Sequence, residues 1–227
     1  MSMGTVSIKR FDPTRDSAPY WQTYSFPFQP GMSVLDVLLD IYQRLDATLS
    51  FQYCCRNSHC GLCGVRIDGK PGLVCREAAK QEMRLEPLAN LPVLRDLTVD
   101  RSEQDLRKQD LRLFLERAEP YRGGKAERVD MAAFERFKRA ARCVECFCCV
   151  SACPVFAKKP HDFLGPAALT QLARHFFDPR DEGPRSLIAL SGGLAQCIGC
   201  GKCTAVCPHG AMPMENIIAM QALLEEE

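Results

Sequence analysis

The chain has 227 residues, 46% hydrophobic and 25% charged, with a formal net charge of +1. That length suits two small domains, each with its own core, and the charge balance leaves neither a basic footprint for nucleic acid nor an acidic tail. No apolar run approaches the roughly 20 residues that span a bilayer, and residues 1–11 lack the apolar core of a secretory signal, so the expectation is a cytoplasmic protein that reaches a membrane only through partners.

In chain order, residues 6–11 alternate as a strand, and aromatic-rich 20–28 reads as its antiparallel partner across a turn at 12–18. Ser33 caps a helix in which Val34, Leu35, Val37, Leu38, Ile41 and Leu45 recur at helical spacing. A cysteine-rich loop follows over 54–64. Residues 65–67 and 73–75 read as a hairpin about a turn at 68–72, and 83–88 as a further strand. A small sheet crossed by one helix, with a cysteine loop after it, predicts a ferredoxin-like β-grasp domain over 1–102. From about residue 100 helical periodicity dominates, at 106–116, 130–141, 166–177 and 214–226, with a polar connector at 121–128. The expected class is therefore α+β, with an all-α, bacterial-ferredoxin-like domain over 103–227.

Fourteen cysteines, gathered in three blocks, carry the chemistry. Disulfides need an oxidising compartment, and nothing here directs export. The first block places Cys55, Cys60 and Cys63 with four and then two residues between them, followed at a distance by Cys75. This is the plant-type spacing for a 2Fe–2S cluster, in which each iron takes two thiolates. Gly61 and Gly64 allow the backbone to approach closely and to aim N–H groups at sulfur. Cys60 and Cys63 alone would also suit zinc. Cys54 is expected to face away from the cluster as a buried packing thiol. His59 is no Rieske ligand, because a Rieske centre needs two histidines and four cysteines are already in place.

The second block is Cys143, Cys146, Cys149 and Cys153-Pro154; the third is Cys197, Cys200, Cys203 and Cys207-Pro208. Both follow the bacterial run C-x2-C-x2-C-x3-C-P, in which the fourth cysteine serves the other cluster. One 4Fe–4S site is thus assigned Cys143, Cys146, Cys149 and Cys207, and the other site Cys153, Cys197, Cys200 and Cys203. Cys148 falls off the ligand spacing and is expected to pack. Iron bound through these twelve cysteines is the only metal called for, and the chain carries no dinucleotide fingerprint or nucleophile–base motif, so no residue is assigned a catalytic role.

One plant-type block followed by two bacterial-type blocks, in a chain of this length, resembles the iron–sulfur subunit of succinate dehydrogenase and fumarate reductase. The likeness covers almost the whole chain, including the segment Pro87-Leu-Ala-Asn-Leu-Pro92-Val-Leu-Arg95-Asp96-Leu-Thr-Val-Asp100 and the segment Phe163-Leu-Gly-Pro-Ala-Ala168. The resemblance implies a flavoprotein partner carrying FAD and the dicarboxylate site. It also implies a membrane-anchor or quinone-handling partner, which places the complex on the cytoplasmic face of the inner membrane. Electrons would pass from FAD through the 2Fe–2S and 4Fe–4S clusters to the third cluster and on to quinone.

Two features depart from the family pattern. Well-known members hold a 3Fe–4S cluster at the third site, with an apolar residue at the fourth corner. Here that corner is Cys200, which predicts 4Fe–4S, with 3Fe–4S as the alternative, and a lowered potential. Ubiquinone-reducing members carry a tryptophan shortly after Pro154 and a histidine after the first cysteine of the third block. This chain has Val155-Phe-Ala-Lys158-Lys159-Pro and Ile198 there, and its only tryptophan is Trp21. Menaquinone, or a soluble electron carrier, is favoured over ubiquinone. Lys158, Lys159 and His161 suit an acidic partner or lipid headgroups, or form a solvated basic turn. Arg56 either stabilises the reduced 2Fe–2S cluster or meets the flavoprotein, and His209 reads as a loop residue. The rival readings are the same relay serving a flavoprotein that acts on another activated carbon–carbon bond, and a free-standing carrier.

Overall fold

A computed structural model describes residues 2–225, which divide into two compact units. The first comprises the chain up to Arg101 together with Val144–Ala152, and the second comprises Ser102–Cys143 and the chain from Cys153 onward.

In the first unit the elements are β1 (Ser2–Arg10), β2 (Tyr20–Phe28), α1 (Val34–Arg44), β3 (Gly64–Ile67), β4 (Lys70–Leu73), β5 (Glu82–Glu86), β6 (Val93–Arg95) and β7 (Thr98–Val99). Five strands form one sheet in the order β2-β1-β5-β3-β4, with β1 and β5 parallel and the other pairs antiparallel. The period-2 alternation of β1 turns Val6 and Ile8 inward, where they meet Phe26, Leu38, Ile41 and Leu85 in a fully buried core. A capping box starts α1: Ser33 Oγ accepts from Asp36 N–H, and Asp36 Oδ2 accepts from Ser33 N–H at 2.8 Å. The β3–β4 hairpin turns on Asp68-Gly69 alone, so β4 runs through Pro71 and Gly72, two residues whose types suggest a turn. A proline fits because β4 is an edge strand.

A buried ion cluster ties this unit together. Arg10 Nε donates to Asp96 at 2.9 Å, and Nη1 donates to Asp46 at 2.6 Å and Gln22 at 2.8 Å. Asp96 also accepts from the backbone N–H of Phe11 and Ser50, so strand β1, the loop after α1 and the β6–β7 turn meet on one carboxylate. Removing one partner of a buried pair costs about 3–5 kcal/mol, because the other charge stays buried. Asp96→Asn keeps the size and tolerates the local φ of 46°. It should lower the unit's stability by about 3 kcal/mol in urea unfolding followed by circular dichroism; a loss below about 1 kcal/mol would contradict this role.

The second unit is helical. After α2 (Ser102–Asp110) and α3 (Met131–Ala140), the short α4 (Cys148–Ser151) belongs to the first unit. Then follow α5 (Pro154–Lys158), α6 (Gly165–Phe176), α7 (Arg185–Ser191), a 3-10 turn at Leu194–Gln196, α8 (Lys202–Ala205) and α9 (Pro213–Glu225). Helix α6 packs on α3, α7 and α9, burying Leu169, Leu172, Ala173, Ile217 and Met220. The helix expected at 106–116 begins earlier and stops at Asp110. Its continuation is captured by Arg185, which is 4% exposed and donates to the carbonyls of Leu111, Arg112 and Phe114. Residues 121–128 carry no regular structure. The last helix is expected to reach Glu226, which lies outside the described residues. Among the described residues, no helix is long and apolar enough to cross a membrane.

Segment 144–152 departs from a division of the chain at residues 102 and 103. It packs against the first cysteine loop: a Cβ on Gly61 would lie 2.0 Å from the Val144 carbonyl oxygen, and one on Gly64 2.9 Å from that of Cys146. Asn90 Nδ2 adds a hydrogen bond of 2.9 Å to the Val150 carbonyl.

Candidate metal centres

The first cysteine block folds into a loop whose backbone points at sulfur. Arg56 and Ser58 adopt left-handed φ of 55° and 54°, and these reversals turn successive N–H groups inward. Asn57, His59 and Cys60 donate to Cys55 Sγ at 3.3–3.4 Å, and Ser58 donates to Cys75 Sγ at 3.2 Å. Cys63 Sγ lies 3.4 Å from Cys75 Sγ. The N–H groups of Asn57 and Cys60 draw the Cys55 thiol down to about 7, whereas burial pushes Cys63 up to about 12. A cage of donors that stabilises thiolate, around paired sulfurs from a loop and the end of a hairpin, fits a 2Fe–2S cluster.

Cys54 corrects an expectation. It is exposed, as is Cys55. Residues 53–57 are all exposed, so no packed face lies there to bury Cys54. Cys54→Ser should leave the iron and sulfide of this site within about 20% of the native content, read by visible absorption; loss of the cluster would make Cys54 a ligand. Arg56 is exposed, with its guanidinium 5.3 Å from the Tyr53 ring centroid.

The second and third blocks share one backbone design. Two residues after the leading cysteine the chain enters the left-handed region, at Glu145 (φ 55°) and Gly199 (φ 64°). A cysteine follows in each, Cys146 or Cys200. The next residue is again left-handed, Phe147 (φ 57°) or Gly201 (φ 74°), and a short helix then carries Cys149 or Cys203. Cys200 thus occupies the backbone slot of Cys146. The Cys146 thiol is drawn down to about 7, chiefly by a hydrogen bond with Cys148 and also by the charge of Arg101. Cys148 is fully buried, as a packing thiol would be. Of the remaining cysteines of the first 4Fe–4S assignment, Cys149 lies in the first unit and Cys143 and Cys207 in the second. Cys207 Sγ accepts from Ala211 N–H at 3.3 Å.

Cys153, Cys197, Cys200 and Cys203 all lie in the second unit. Burial pushes Cys203 up to about 12, and the charges of Cys153, Cys197 and Cys200 add to the rise. Burial likewise raises Cys153, with Cys200 and Cys197 contributing. Thiols whose neighbours raise Cys153, Cys197 and Cys203 in this way suit a bound cationic centre that takes the place of their protons. Among the described residues, no three His, Cys, Asp or Glu side chains are arranged to hold a single metal ion. Cluster ligands grip different irons, so their sulfurs need not converge on one point.

Helix α9 positions this block through polar groups that sequence periodicity does not single out. Asn216 Nδ2 donates to the Ala211 carbonyl at 2.8 Å, Gln221 Nε2 to the Leu194 carbonyl at 2.9 Å, and Thr204 Oγ1 to Glu215 at 2.6 Å. Asn216 is 1% exposed although it follows Glu215 directly, at the head of the apolar run 217–220, so its sequence neighbours do not mark it out. Pro154, Val155, Lys158, Lys159, Gln196 and Ile198 line a hollow of about 240 Å³. Lys159 Nζ donates to Gln196 at 2.8 Å across it.

Residues 5–105 match the family model of the 2Fe–2S iron–sulfur cluster binding domain, and residues 139–211 that of the 4Fe–4S dicluster domain. The chain is 37% identical over 217 residues to the fumarate reductase iron–sulfur subunit of Mycobacterium tuberculosis, covering 92% of this chain and 87% of that protein. It is 34% identical over 239 residues to the fumarate reductase iron–sulfur subunit of Haemophilus influenzae, covering 93% and 89%. It is 36% identical over 206 residues to a subunit of the fumarate reductase (CoM/CoB) of Methanothermobacter marburgensis; that match covers 91% of this chain but only 41% of the relative. A chain of the Mycobacterium smegmatis Sdh1 complex in the apo form superposes with a TM-score of 0.87 at 23% identity, covering 99% of this chain and 96% of the other; it shares the fold.

Proposed function

The chain belongs to the family of iron–sulfur subunits of fumarate reductase and succinate dehydrogenase, and from that membership we propose that it relays single electrons between an FAD-bearing flavoprotein subunit and a quinone. The observation that carries this reading is the cysteine framework: a donor-lined loop for one cluster and two loops of matching backbone conformation for the others. Bound clusters supply one-electron carriers that couple two-electron flavin chemistry to the second partner. The protein holds them through Cys55, Cys60, Cys63 and Cys75 for 2Fe–2S; Cys143, Cys146, Cys149 and Cys207 for 4Fe–4S; and Cys153, Cys197, Cys200 and Cys203 for the third centre. Its backbone N–H groups tune them.

Menaquinone is favoured over ubiquinone, because residues 155–160 hold no tryptophan where ubiquinone-reducing members carry one, and Ile198 stands where they carry a histidine. The complex would sit on the cytoplasmic face of the inner membrane through an anchor subunit. A second reading keeps the relay and replaces quinone with a soluble electron carrier; it is favoured by likeness to the subunit whose name specifies CoM/CoB. Purification of the native complex separates the two. The first reading predicts a flavin-containing partner and fumarate reduction driven by menaquinol. Activity with soluble carriers alone selects the second, and a chain that purifies without any flavoprotein contradicts both.

A further inference from the structure

Arg101 links two cysteine loops that lie far from it in sequence. Its Nη2 donates to the Gly61 carbonyl at 3.1 Å and to the Glu145 carbonyl at 2.6 Å. Its guanidinium carbon lies 4.5 Å from the centroid of the Phe147 ring. Gly61 stands between Cys60 and Cys63, and Glu145 and Phe147 flank Cys146 on either side. All three of these residues hold left-handed φ, at 68°, 55° and 57°, so one planar cation contacts the reversals that shape both loops. The segments are in close contact there, as the Gly61 approach to Val144 shows. A guanidinium suits this position, because the two N–H groups of Nη2 serve one carbonyl each while its planar face rests on an aromatic ring; a lysine ammonium has no such face and a shorter stem.

We propose that Arg101 is a positioning residue for electron transfer: it fixes the loop of Cys60 and Cys63 against the loop of Cys146, and its charge favours the reduced state of the clusters held there. The proposal rests on the cluster assignments made above. Reduction adds one negative charge to a cluster and forms no bond, so a half-buried cation beside both loops stabilises the reduced form more than the oxidised form. Because the site is partly shielded from solvent, salt screens this less than it would a surface charge.

The test uses the full-length, cluster-loaded chain in its complex, with Arg101→Gln and Arg101→Lys compared with the native protein. Potentiometric titrations monitored by electron paramagnetic resonance give the potential of the 2Fe–2S cluster and the magnetic interaction between it and its reduced neighbour. Arg101→Gln should lower the equilibrium constant for reduction by about tenfold, or about 59 mV for one electron. Arg101→Lys keeps the charge and should stay within about threefold, but its shorter stem and lack of a planar face loosen the hold on Phe147 and the two carbonyls, so the magnetic interaction should weaken. A Gln variant within about twofold of native, or a Lys variant that falls as far as Gln, overturns the proposal. If Arg101→Gln fails to retain its clusters, the Lys variant decides: a native potential with a weakened interaction supports the proposal, and two native readouts or a tenfold fall overturn it. Native protein without sulfide-bearing iron would instead defeat the cluster assignments themselves.

Discussion

Gly61→Ala should abolish the 2Fe–2S signal of the reduced protein. Two independent effects act at this position. A φ of 68° disfavours any residue with a Cβ, which costs roughly 1–2 kcal/mol. The added Cβ would also lie 2.0 Å from the Val144 carbonyl oxygen and 3.0 Å from Cys146 N. Both neighbours are backbone and cannot rotate away, so the loops must part by about 1 Å. That separation pulls on both carbonyls held by Arg101 and displaces Cys60 and Cys63. Spin quantitation should show at least about a tenfold loss of the 2Fe–2S signal. Gly69→Ala is the control: its φ of 82° carries the same kind of strain, but the nearest atom to a new Cβ is the flexible end of Arg66 at 3.8 Å. That variant should keep the cluster and lose only about 1 kcal/mol of stability. Equal cluster content in the two variants would show that the close approach of the loops does not matter.

Cys200→Val should convert the third centre to a 3Fe–4S cluster. In anaerobically prepared, oxidised native protein the 3Fe–4S signal should be absent, and in the variant it should approach roughly one spin per chain. The physical reason is the shared loop. Gly199 and Gly201 reproduce the left-handed positions of Glu145 and Phe147, which sets Cys200 in the slot that Cys146 fills in the second block. Cys153 and Cys203 are buried and Cys197 is partly covered, while Cys200 is exposed. Its removal therefore takes one corner and leaves three thiols in their packed positions. The same exposure makes that corner the one open to oxidants, so exposure of the native chain to air should also generate the signal slowly. A strong 3Fe–4S signal in native protein kept from oxygen would remove Cys200 from the ligand set.

The proposed ligand set is read from spacing alone: Cys55, Cys60 and Cys63, and the two C-P-terminated runs, follow the cluster patterns without any structure. The β1–β2 pair and α1 were legible for local reasons, namely alternation at Val6 and Ile8 and the Ser33 cap. What escaped depends on distant partners. Nothing near Asp110 announces that α2 ends there, since Arg185 does it from another helix. Pro71 and Gly72 read as turn residues, yet they pair with Arg66 and Val65 at a sheet edge. Glu145 and Phe147 give no glycine signal for the left-handed backbone they adopt. The attachment of 144–152 to the first unit is set by the bare surface of Gly61 and by the reach of Arg101, neither of which a linear pattern encodes.

The central claim is that twelve thiolates hold three iron–sulfur clusters. Iron and acid-labile sulfide measured on protein purified without oxygen test it most directly. About ten irons and ten sulfides per chain are the predicted result. Zinc in place of iron, or iron without sulfide, would contradict it.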